Sequence, residues 1–152
     1  MKRLSHLAYF TRLLVLALAL SGLVQASVQA QESKTQATKK SKVVFQVSDG
    51  DSKKWELTLS NVKNVIKDLG KDNVDVEVVA YGPGIDMFKF ESPVAGRIEE
   101  VLKLGAQVMI CENTMRAQKL SKSDMLDNLG YVEAGVSQLI KRQQQGYAYI
   151  RP

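Results

Sequence analysis

The chain has 152 residues, 45% of them hydrophobic and 24% charged, with a formal net charge of +5. Three of its basic residues and its single histidine, His6, fall in the first thirty positions, and from residue 31 onward 18 basic side chains face 16 acidic ones, a balance of +2. That balance provides no basic face for nucleic acid, and a domain without imidazole excludes Ser-His or Cys-His nucleophilic catalysis and His-ligated zinc.

Lys2, Arg3 and Arg12 precede an apolar core from Leu13 to Val24, and two Val-x-Ala sites follow at Ala26 and Ala30. This is the layout of a secretory signal peptide. The apolar run is shorter than the roughly 20 residues that span a bilayer, so residues 1–30 are expected to be removed near Ala30, with no stable membrane insertion after cleavage. No lipobox cysteine follows the core, which points to a free periplasmic protein. Residues 31–41 have no apolar periodicity and read as a flexible linker. Residues 42–152 are long enough for one core and not for two.

The domain is expected to open with a buried strand, Val43 to Val47, and a polar turn, Ser48-Asp49-Gly50-Asp51. Asp51 or Ser52 can cap the following helix, in which Trp55, Leu59, Val62, Ile66 and Leu69 recur on one face until Gly70. Val74 to Tyr81 reads as the second strand, Gly82-Pro83-Gly84 as a turn, and Val94 to Leu104 as a helix opened by Pro93 and closed by Gly105. Gln107 to Cys111 is the third strand, near-continuously apolar as a central parallel strand should be. Asn113 or Thr114 then caps a short helix toward Leu120, and Lys122 to Leu129 holds another helical turn. Tyr131-Val132, a helix from Ala134 to Gln145 and a strand from Tyr147 to Ile150 complete the chain. Alternating strands and helices predict a mostly parallel five-stranded sheet in a three-layer α/β/α sandwich.

Cys111 is the single cysteine, so it cannot form an intrachain disulfide and is either a buried small hydrophobe or a reactive thiol. At the carboxyl end of a central strand, with a helix starting within three residues, it stands where open parallel sheets bind ligands and where helix amides stabilise a thiolate. Ser48 and Asp49 would flank it, Asn113 and Thr114 would line the mouth, Met115 would shield it, Arg116 would add positive charge if turned inward, and Glu112 would oppose it. A ligand crevice in which the thiol is incidental is a third reading. Asp49, Asp51 and Asp86 are better explained as turn and cap residues than as metal ligands, and the loop after the first strand lacks P-loop spacing. Neither a metal nor a cofactor is expected.

The strand from Lys42 to Val47, the segment Val-Met-Ile-Cys-Glu-Asn-Thr-Met at 108–115 and the ending Gln-Gln-Gln-Gly-Tyr-Ala-Tyr-Ile-Arg-Pro together resemble the DsrE/DsrF-like family over nearly all of residues 42–152. The resemblance implies a flavodoxin-like sheet and a homo-oligomer, trimer or hexamer. Some members carry sulfur as a cysteine persulfide between a donor and an acceptor protein, and the matching position is Cys111. Glu112-Asn113-Thr114 stands where carriers have small apolar residues, which keeps open the alternative of a non-catalytic module that binds a small ligand or a partner.

Overall fold

The computed structural model describes residues 40–152; the expected signal peptide and nearly all of the expected linker lie outside this range. Its elements are β1 (Ser41–Val47), α1 (Ser52–Leu69), β2 (Val74–Ala80), a 3-10 segment (Gly82–Phe88), α2 (Ala95–Lys103), β3 (Gln107–Cys111), α3 (Glu112–Ala117), a 3-10 turn (Lys122–Asp124), β4 (Gly130–Val132), α4 (Gly135–Gln144) and β5 (Ala148–Ile150). The sheet is parallel throughout, in the order β4-β3-β2-β1-β5. This is the expected five-stranded α/β architecture.

Chain direction decides which face each helix covers. From β1 to β4 every crossover steps to the next strand on the same side, whereas α4 carries the chain back to β5 beside β1. Right-handed crossovers then put α1 to α3 on one face and α4 on the other. The cores follow this division. On the first face, Val43, Phe45, Val47, Val76, Val78, Ala80, Val108 and Ile110 pack against Trp55, Leu59, Val62 and Ile66 of α1 and Ile98 and Val101 of α2. Residues of opposite parity point to the second face, where Val44, Val79 and Leu139 form a small cluster and two polar side chains, Gln46 and Glu77, are also buried.

Local chemistry explains most boundaries. Asp51 caps α1, its carboxylate accepting from the Lys53 amide at 2.9 Å, and Gly70 ends it with φ 85°. Trp55 Nε1 donates to the Asp49 carbonyl at 2.6 Å, tying α1 to the loop after β1. Leu69, expected on the buried stripe, is exposed because it falls in the last turn, beyond the edge of the sheet packing. Strand β1 begins at Ser41, inside the segment expected as linker, since its backbone pairs with β2 from Val74 onward.

Two further expectations are corrected. Gly82-Pro83-Gly84 opens a 3-10 segment rather than a simple turn, and Ile85, Met87 and Phe88 from it enter the core. Its backbone lies so close to β1 that a side chain on Gly84 would sit 2.2 Å from the Val47 carbonyl oxygen. Helix α3 starts directly after β3, so Cys111 itself occupies the cap position and Asn113 and Thr114 lie within the first turn.

Candidate functional site

Cys111 ends β3, and its side chain points to the second face of the sheet by the alternation of the strand. The residue is 5% exposed. Its thiol lies 3.9 Å from the Glu133 carbonyl oxygen, toward which it can donate. Around the sulfur stand the Thr114 hydroxyl and the backbone amides of Gly135, Thr114 and Asn113. Burial alone pushes the thiol up, but hydrogen bonds from the Thr114 hydroxyl, then from these amides, outweigh it and leave the group below the ordinary thiol range.

The Thr114 hydroxyl is oriented by a second contact. It accepts from the Gly82 amide at 3.0 Å, so a lone pair is engaged and its own hydrogen is free for the sulfur. Gly135, at the start of α4, approaches closely because it has no side chain: a Cβ there would stand 3.3 Å from Cys111 Cβ and 3.1 Å from Tyr81 Cβ and Cδ1. Segments after β2, β3 and β4 thus converge on one sulfur.

Of the residues expected around Cys111, two stand next to it. Asn113 and Thr114 adjoin the thiol, through an amide and through a hydroxyl and an amide respectively. Arg116 turns away, pairing with Glu133 at 2.6 Å and with the Asn113 side chain, because these exposed acceptors lie on its own side of α3. Met115 is buried in the larger core and anchors α3 there rather than shielding the sulfur. Glu112 pairs with Lys122 at 3.9 Å. Ser48 and Asp49 follow β1, and β2 lies between that strand and β3, a separation of about 9.5 Å at two strand spacings. Ser48 accepts from Gln46 at 2.9 Å, and Asp49 faces Lys54 at 3.2 Å and Arg151 at 3.6 Å. Lys54 first, then Arg151, holds the Asp49 carboxyl below its usual range against the upward push of desolvation.

Tyr81, Gly82, Glu133 and Gly135 were not legible as site residues. A Gly-Pro-Gly triplet reads as a turn, and a glycine at a helix start reads as a boundary; contacts across strand ends have no signature along the chain. Elsewhere, a cavity of about 540 Å³ opens between Trp55, Asp86, Phe90, Pro93, Leu120 and Asp124, and Cys111 does not line it. Among the described residues no cluster of His, Cys, Asp and Glu is placed to hold a metal ion.

Comparison with known proteins gives a consistent assignment. The structure of MTH1491 from Methanobacterium thermoautotrophicum, a protein of unknown function, is 35% identical and superposes with a TM-score of 0.71, covering 74% of this chain and all of that one. BT1422 from Bacteroides thetaiotaomicron, a conserved protein of unknown function, shares the fold at 11% identity and a TM-score of 0.60, covering 73% of this chain and 94% of that one. No curated protein matches. The model of the DsrE/DsrF-like family matches residues 41–152, and the chain therefore belongs to the DsrE/DsrF-like family.

Proposed function

We propose that this protein is an exported sulfur carrier or thiol-redox protein acting through Cys111, rather than a turnover enzyme. The observation that carries this reading is the set of donors around the sulfur: the Thr114 hydroxyl, itself held by Gly82, and the Gly135, Thr114 and Asn113 amides. Donors of this kind stabilise a thiolate and later a persulfide anion. The ionised sulfur attacks the outer sulfur of a persulfide donor; a new S–S bond forms at Cys111, the donor S–S bond breaks, and the donor leaves as a thiolate carrying the electron pair. A lowered thiol supplies its thiolate without a side-chain general base, in keeping with a domain that lacks histidine.

Export of the protein, with residues 1–30 as signal peptide, and assembly into a trimer or hexamer are part of this proposal. The exposed pair Val136 and Ile140 on α4 and exposed Tyr149 on β5 support the second, since apolar side chains four apart form one outward stripe.

The test is the intact mass of the processed protein before and after exposure to polysulfide, with Cys111→Ser as control. A gain of about 32 Da per sulfur, reversed by reductant and absent from the variant, is expected. An unchanged mass makes Cys111 a packing residue. Two observations favour the alternative, a non-catalytic module that binds a small ligand or partner: the low exposure of Cys111 and the separate cavity beside Trp55 and Phe90. On that reading Cys111→Ser leaves binding intact, as titration against a metabolite mixture by thermal shift would show.

A further inference from the structure

On the second face of the sheet, the apolar contact to α4 is small beside the first core: Val44, Val79 and Leu139, with partly buried Tyr81, Met109 and Tyr147 packed against them. Apolar burial has no direction, so this contact specifies the axial position of the helix weakly. The inward stripe of α4 reads Gly135, Gln138, Leu139 and Arg142, spaced as one helix face. Gly135 adjoins Cys111 and Tyr81, Leu139 fills the middle, and Gln138 and Arg142 grip Glu77 on β2. Glu77 is 1% exposed. Its Oε2 accepts from Arg142 Nε at 2.9 Å and Nη2 at 2.5 Å, and its Oε1 accepts from Gln138 Nε2 at 2.8 Å.

The two elements run side by side over matching lengths. Glu77 on β2 and Tyr81, the extended residue just past its end, are four residues apart, about 13 Å, while Gly135 and Arg142 are seven apart on α4, about 10.5 Å. The ion pair and the thiol therefore sit at opposite ends of one helix–sheet contact. A buried ion pair is an inefficient source of stability, since a well-packed apolar pair of similar volume often does as well or better. What it supplies is direction, because a guanidinium satisfies a carboxylate only in a narrow set of geometries.

We propose that Glu77, with Arg142 and Gln138, is a positioning residue for Cys111, pinning α4 in the axial register that brings the Gly135 N–H to the sulfur. A slip of one residue along the axis moves that amide about 1.5 Å, enough to lose a hydrogen bond. The chemical consequence rests on the thiolate reading of Cys111, whereas the pinning concerns the backbone of α4 alone.

The experiment compares 15N-labelled wild type, Glu77→Met/Arg142→Met and Arg142→Lys, reading the Gly135 amide resonance, the melting temperature and the alkylation rate of Cys111 against pH. The double variant is expected to melt at or above wild type, to show a displaced Gly135 resonance, and to alkylate about tenfold more slowly at pH 7. Arg142→Lys, which keeps the charge without the guanidinium geometry, is expected to shift both readouts in the same direction and serves alone should the double variant fail to fold. A folded variant whose Gly135 resonance stays in place, or whose alkylation profile is unchanged although that resonance has moved, overturns the proposal. An ordinary thiol profile in wild type, unmoved by Thr114→Val, defeats the thiolate reading instead, and the Gly135 resonance then decides the pinning by itself.

Discussion

The chemistry of Cys111 is governed at the scale of single hydrogen bonds. Thr114 is the side-chain donor to the sulfur and is itself oriented by Gly82, so Thr114→Val should slow Cys111 alkylation at pH 7 by about tenfold, whereas Thr114→Ser should retain most of the rate. Iodoacetamide labelling against pH checks both. A stability effect accompanies this one. Because the folded-state thiol is lowered, the unfolded chain binds more protons between the folded pKa and the unfolded value of about 8.5, and stability rises with pH across that window. The contribution is fully present above the unfolded value and is lost as pH falls through the folded one. The stability difference between wild type and Cys111→Ser should therefore grow in favour of wild type as pH rises through this range, as urea titrations at successive pH values would show.

At the scale of elements, close backbone approaches place the loops. The 3-10 segment after β2 meets β1 at Gly84, where any side chain collides with the Val47 carbonyl. Gly84→Ala should cost about 3 kcal/mol or more, measured by chemical denaturation, because backbone rather than a flexible side chain must yield. Lys119, two residues beyond the end of α3 at Ala117, adopts a φ of 58°. A left-handed backbone costs a non-glycine residue about 1–2 kcal/mol, partly offset by the greater unfolded-state entropy of glycine. Lys119→Gly should thus raise stability by about 0.5–1 kcal/mol in the same assay.

At the scale of the whole molecule, the two sheet faces are covered unequally. The first buries a continuous core beneath α1 and α2, while the second is crossed by α4, whose Val136 and Ile140 remain outward and exposed. If a second copy covers this stripe, Ile140→Lys should reduce the assembly to monomers in size-exclusion chromatography with light scattering, with secondary structure retained. A monomeric wild type at micromolar concentration would sink the oligomer proposal.

Much of the architecture is legible in the sequence itself. β-branched runs alternating with amphipathic segments specify the three inner strands, the helix that Asp51 or Ser52 caps and Gly70 ends, and the parallel class, because burial on both faces imposes its pattern locally; the edge strands β4 and β5, half-buried and exposed, are marked only by short apolar runs. Cys111 could be located at a strand end for the same reason. The site around it could not be assembled from the chain alone: Thr114 is turned toward the sulfur by an amide 32 positions away, and Gly135 arrives from another crossover. Arg116 illustrates the converse, a nearby cation drawn off to Glu133. Periodicity encodes which face of an element is buried, but strand order and the ends at which loops meet are consequences of packing, and these determine which donors surround the thiol.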